Sequence, residues 1–190
     1  ITALDEGGIP KTVTVTATDN CSATTSETFT LTVNAPPAIT AASAITRQQG
    51  SAATVATPAT VSDAEDAAGS LTVAATSVPA GITVGTISNN SGTITATVSA
   101  SCSAALGANS IGLKVTDSGG AIATATFTVN VTANTPPALG SYSAIALGPG
   151  SGATVIPSAP PSDNGSVTLV TVAASGFTGA LSVDPTSGVV

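Results

Sequence analysis

Thr28-Phe29-Thr30-Leu31-Thr32-Val33 and Thr126-Phe127-Thr128-Val129-Asn130-Val131 spell one pattern twice. A turn signal precedes each: Thr18-Asp19-Asn20 in the first case, Thr116-Asp117-Ser118 in the second. Asp19 and Asp117 lie 98 positions apart, as do Phe29 and Phe127. Other stretches recur with an offset of 100. Ser43-Ala44-Ile45, Gly50-Ser51, Ala53-Thr54-Val55 and Ser62-Asp63 return as Ser143-Ala144-Ile145, Gly150-Ser151, Ala153-Thr154-Val155 and Ser162-Asp163. Pro36-Pro37 and Pro136-Pro137 share that spacing. A fixed period is the signature of an array of like modules.

Within a repeat the chemistry alternates with period two. Val13, Val15 and Ala17 fall on one face of a strand and Thr12, Thr14 and Thr16 on the other. Phe29, Leu31 and Val33 repeat this, as do Ile111, Leu113, Val115 and Phe127, Val129, Val131. Such alternation in β-branched residues predicts half-buried antiparallel strands. Asp19-Asn20 and Asp117-Ser118-Gly119-Gly120 predict the hairpin turns between the last two strands. Further strands are expected near 38–45, 52–61, 70–76, 82–86 and 92–99. No segment reads as a long amphipathic helix. The prediction is an all-β chain of tandem immunoglobulin-like sandwiches, about seven strands per repeat of ~100 residues.

The period divides the 190 residues unevenly. Residues 1–35 read as the C-terminal strands of one repeat, 36–135 as a complete repeat, and 136–190 as the N-terminal strands of a third. Asn34-Ala35-Pro36-Pro37 and Asn134-Thr135-Pro136-Pro137 are the linkers. Tandem proline fixes φ and removes two amide donors, so it ends a strand and stiffens the joint.

Composition excludes several chemistries. The net charge is −7, from ten acids and three bases, and histidine is absent. Without histidine there is no histidine-based triad and no histidine metal site. Three bases cannot neutralise a phosphate backbone, so no nucleic-acid partner is expected. No apolar run of about 18 residues is present, so no membrane insertion is expected. No signal-peptide pattern opens the sequence. The abundant Val, Ile and Leu and the modest charge argue against disorder. Carboxylates sit in short turns with almost no aromatic residues to hold a sugar, so no enzyme is expected.

Three further stretches complete the signature: Val78-Pro79-Ala80-Gly81-Ile82-Thr83-Val84, Ser91-Gly92-Thr93-Ile94 and the closing Asn134-Thr135-Pro136-Pro137. With Val115-Thr116-Asp117-Ser118-Gly119-Gly120, they resemble the Ig-like and dystroglycan-type cadherin-like repeats of large bacterial surface and secreted proteins. The resemblance implies an extracellular tandem β-sandwich protein. Such modules serve as stalks, spacers, adhesins and appendages of carbohydrate enzymes, so it implies a fold more than a function. The multi-acid linker motif of calcium-binding cadherins is missing at both Pro-Pro junctions.

The two partial repeats read as complementary halves. Read end to start, Ser187-Gly188-Val189-Val190-Ile1-Thr2 matches Ser91-Gly92-Thr93-Ile94-Thr95-Ala96. Two readings follow. Either the chain is a window on a longer array, or copies assemble head to tail, with residues 1–35 of one completing 136–190 of its neighbour. An incomplete sheet has unpaired edges that recruit missing strands. A head-to-tail contact that does not close makes a fibre.

Candidate sites are few. Cys21 and Cys102 are the only thiols, too few for a disulfide framework. They belong to different repeats, which argues against an intrachain bond. Across a junction between copies, Cys102 at the base of the middle repeat would face Cys21 at the top of the composite one. Asp63, Glu65, Asp66 and Asp117 are expected at one end of the middle repeat, facing Asn34, Asp5 and Glu6. Converging oxygens suit Ca²⁺, which takes six to eight; the alternative is solvated acids in turns. Asn20, Asn89, Asn130 and Asn164 each begin an N-glycosylation triplet. With 56 Ser and Thr in the chain, such triplets also arise by chance.

The expected function is structural: the rod or filament body of an extracellular appendage, matrix fibre or adhesin stalk, with other copies as partners. The alternatives are an adhesin module that binds surface carbohydrate or a host protein, and an accessory region of a secreted hydrolase.

Overall fold

The computed structural model describes residues 10–190. Among these, every regular element is a strand except one short 3-10 turn at Ala68–Ser70.

The first two strands stand apart from the rest. β1 (Lys11–Thr18) and β2 (Thr24–Leu31) form an antiparallel hairpin with Val13 opposite Phe29 and Ala17 opposite Thr25. Asp19 shapes its turn: Oδ1 accepts the amides of Cys21 and Ala23, both at 2.8 Å. Alternation makes one face apolar, yet no second sheet among the described residues covers it. Val15 and Phe29 are therefore exposed.

Nine strands build the complete sandwich. They are β3 (Ala38–Ala41), β4 (Ile45–Gln48), β5 (Thr54–Ser62), β6 (Thr72–Ser77), β7 (Ile82–Val84), β8 (Ser88–Asn90), β9 (Thr93–Ala100), β10 (Gly107–Thr116) and β11 (Ile122–Thr132). One sheet has the order β4-β11-β10-β6; the other runs β3-β5-β9-β7, with β8 also on β9. β3 and β4 are halves of one run that changes sheets: β3 is antiparallel to β5, β4 parallel to β11. β7 and β8 lie in succession along β9. Counted as continuous lines, nine strands become the seven expected of an immunoglobulin-like sandwich.

The inward residues are those the alternation picks out. Ile111, Leu113 and Val115 of β10 and Phe127, Val129 and Val131 of β11 meet Ala59, Val61, Ile94 and Val98 from the opposite sheet. Burying each large apolar side chain stabilises the fold by about 1.5–3 kcal/mol. The β8–β9 turn needs positive φ at two positions, Ser91 (50°) and Gly92 (92°). A Cβ at Gly92 would come within 2.7 Å of the Val61 carbonyl oxygen, so only glycine fits.

Residues 136–190 follow the first part of the same path without forming regular strands. Ala138 pairs with Ser162, as Ala38 pairs with Ser62 one hundred residues earlier. Val155 and Val190 exchange two backbone hydrogen bonds of 2.7 and 3.0 Å. The strands expected here are missing for two physical reasons. In the complete repeat β10 and β11 are the middle of their sheet, and this segment has no counterpart of either. In addition, Pro161 stands where the Val61 amide donates to the Gly92 carbonyl, and Pro160 precedes it.

Candidate functional site

The structure gathers Asp63, Glu65, Asp66 and Asp117 at the first junction. The middle-repeat turn 117–121 and the loop 63–66 meet the Asn34-Ala35 linker there. Asn34 Nδ2 donates to Asp117 Oδ2 at 2.8 Å. Asp117 Oδ1 accepts the Ala121 amide at 2.8 Å, which closes its own turn. Ser118 donates its amide and its hydroxyl to the two oxygens of Asp66, at 2.7 and 2.9 Å. Glu65 Oε2 accepts the Ala35 amide at 3.4 Å. Asp63 Oδ1 accepts the amides of Glu65 and Asp66. The amides of Asp66 and then Glu65 hold the Asp63 carboxyl below its ordinary range.

Sequence reasoning placed these residues together, as ligands for Ca²⁺ or as solvated acids in turns. The geometry uses most of their oxygens as acceptors for loop amides, and two remain. Asp63 Oδ2 and Glu65 Oε1 are buried without a hydrogen-bond partner. Among the described residues no group of three or more acids and thiols converges on a metal position. Asp5 and Glu6 lie outside the described residues.

The second junction is built differently. The Ala52 amide donates to the Asn164 carbonyl at 3.4 Å, and Gln48 Nε2 donates to Thr135 Oγ1 at 2.9 Å. Gly50 sits at its centre with φ of 75°. A Cβ there would be 3.3 Å from Cys102 Sγ and 3.7 Å from Asn134 Oδ1. Cys102 and Cys21 are both exposed free thiols within the chain.

Beyond this junction the third segment holds an open apolar cleft of about 320 Å³. Leu139, Tyr142, Val155, Val170, Val172 and Val183 line it. Ile145 and Leu147 are also exposed, at 51% and 46%. Among the described residues, the apolar face of the β1–β2 hairpin and this cleft are two uncovered apolar surfaces. Period-two reading assigned the hairpin side chains to an interior. It missed their exposure, because alternation reports which face is apolar and not whether anything covers it.

The glycosylation triplets differ in setting. Asn20 and Asn130 are exposed, in a turn and on β11. Asn89 donates to the carbonyls of Ala68 and Leu71 and accepts the Gly92 amide, so its side chain is part of the β8–β9 turn. Asn164 is half-buried at the second junction. Among the described residues no helix is long and apolar enough to cross a membrane.

Comparison with known proteins fits this architecture. No curated protein matches the chain. Among solved structures, an endo-fucoidan hydrolase from glycoside hydrolase family 107 is similar, at 21% identity and a TM-score of 0.42. The likeness covers 68% of this chain and only 19% of that enzyme's. The model of the bacterial Ig domain matches residues 34–130. Domains of that kind are generally non-catalytic and are common on extracellular and surface proteins. The match runs from the Asn34 linker into β11 and takes in half of the sequence, and by it the chain belongs to the bacterial Ig domain family.

Proposed function

We propose that this chain is a structural segment of a bacterial extracellular rod or filament, built from copies joined head to tail. The β1–β2 hairpin of one copy completes the open sandwich 136–190 of the next.

The observation that carries this reading is a match of register. Val13↔Phe29 and Lys11↔Leu31 in the free hairpin correspond, at an offset of 98, to Ile111↔Phe127 and Asn109↔Val129 in the sandwich. In the sandwich Val129 also pairs in parallel with Ile45, and Val131 with Arg47. The counterparts of Val129 and Ile45 are Leu31 and Ile145. The missing neighbour of Ile145 is thus a strand with the pattern of β2, and the chain carries one uncovered. Strand addition gives affinity through backbone hydrogen bonds and specificity through alternate side chains. The donor and acceptor lie at different ends, so the contact is heterologous and propagates.

Electron microscopy of the purified 190-residue chain tests the proposal. Filaments with an axial repeat of about 80 Å, two sandwich heights at ~3.4 Å per strand residue, are expected. Isolated particles at every concentration would overturn it.

A further inference from the structure

The two thiols gain a partner when the proposed junction is built, and this step rests on the head-to-tail reading above. We infer that Cys21 of one copy and Cys102 of the next form a disulfide that locks the completed sandwich.

The argument starts from the two turns. In turn 117–121, the Asp117 amide donates to the Ala121 carbonyl at 3.1 Å and the Gly120 amide to the Asp117 carbonyl at 3.3 Å. In turn 19–23, Asp19 and Ala23 make the first of these bonds at 2.9 Å, and Ser22 and Asp19 the second at 3.2 Å. Ser22 has φ of 69° where Gly120 has 88°. The turns are the same structure, with Cys21 in the place of Gly119.

The linkers give the second half. Position 119 lies directly on the Asn34 side chain: a Cβ there would be 2.7 Å from Asn34 Cγ. Asn34 belongs to the linker that enters the middle repeat. The linker that enters the third segment carries Asn134 at the matching place. Because 2.7 Å is closer than packing allows, a hairpin that completes the third segment sets Cys21 beside Asn134 with the Asn134 side chain turned aside. Asn134 and Cys102 flank the same glycine, Gly50, at 3.7 and 3.3 Å from its Cβ position. Both thiols are exposed and have no partner within the chain. The only two cysteines of the sequence thus converge on one junction, from opposite sides.

The chemistry balances by thiol–disulfide exchange. A low-molecular-weight disulfide, of the kind present outside the cell, is attacked by one thiolate and loses one thiol. The second thiolate displaces the other, forming the Cys21–Cys102 bond. Two protein thiols are oxidised, and one external disulfide is reduced to two thiols. Disulfides persist in that compartment.

The test uses the 190-residue chain with oxidised glutathione as the probe. Non-reducing gels should show a ladder of covalent multimers that dithiothreitol collapses to one band. Cys21→Ser and Cys102→Ser should each abolish the ladder alone. Mixed one to one, they should yield a covalent dimer only, with a Cys21–Cys102 peptide by mass spectrometry. Filaments that form in dithiothreitol but give no ladder on oxidation would overturn the disulfide and leave the assembly standing. Dimers from either single variant alone would also overturn the pairing. A chain that stays monomeric by light scattering, oxidised or reduced, would overturn assembly and disulfide together.

Discussion

Phe29 and Phe127 hold the same position in two hairpins of the same register, one opposite Val13 and the other opposite Ile111. Phe127 is 1% exposed and Phe29 43%. The difference lies in what covers them. Phe127 has an opposing sheet, and Phe29 has none among the described residues.

Truncation should separate the two. Phe127→Ala removes a fully buried ring and should cost about 3–5 kcal/mol in urea unfolding. In dilute, unassembled chain, Phe29→Ala should change stability by less than about 0.5 kcal/mol. The same substitution should raise the concentration needed for assembly at least tenfold, read by light scattering.

The first linker is held by the Asn34–Asp117 hydrogen bond. Asp117→Ala removes the acceptor of both Asn34 and the Ala121 amide in a nearly buried site. A loss of about 1–3 kcal/mol is expected, because buried donors are left unpaired. Asn34→Ala should cost less, about 0.5–1.5 kcal/mol. Hydrogen exchange at Ala121 should accelerate in Asp117→Ala and stay unchanged in Asn34→Ala.

Acid should act through the turns. Backbone amides lower the pKa of Asp63 from its ordinary 3.8, and the amides of Ser187 and Thr186 with the Ser187 hydroxyl lower that of Asp184. A carboxyl whose folded value is depressed contributes stability that is full above the unfolded value. It is lost as pH falls through the folded value. Stability should therefore be level from neutral pH down to about 4 and decline below that. Carbon-detected NMR titration should place both midpoints under 3.8; a midpoint above it for Asp63 would contradict the hydrogen-bonded turn.

Calcium offers a separate check on the acidic junction. With its carboxylates engaged by amides and hydroxyls, the melting temperature should be the same in millimolar CaCl₂ and in EDTA. A rise of about 5 °C with Ca²⁺ would mean that the ion binds the folded state there, through Asp63 Oδ2 and Glu65 Oε1 with further ligands.

The sequence alone made the sandwich legible because its strands obey a strict period of two. Val115 and Phe127 could be assigned to the core from their neighbours' identities. The hundred-residue offset set Pro36-Pro37 and Pro136-Pro137 in the same place of the period. Two things were not legible. Asp63, Glu65, Asp66 and Asp117 share one end of the fold, as expected, but the use of their oxygens depends on loop geometry that no spacing encodes. The absence of strands in 136–190 was hidden because Ala153-Thr154-Val155 reads like Ala53-Thr54-Val55. A strand forms only beside a neighbour, and the neighbours of this segment are not encoded within it.

Pairing of a donor at one end with an acceptor at the other is tested most directly by disabling one end at a time. Phe29→Asp places a charge on the hairpin face and leaves the cleft intact. Ile145→Asp places a charge at the edge that would pair with Leu31 and leaves the hairpin intact. Sedimentation of each variant alone should give a monomer, and an equimolar mixture should give a one-to-one dimer and nothing larger. A mixture that remains monomeric, or either variant still forming long assemblies, would contradict completion of the sandwich between copies.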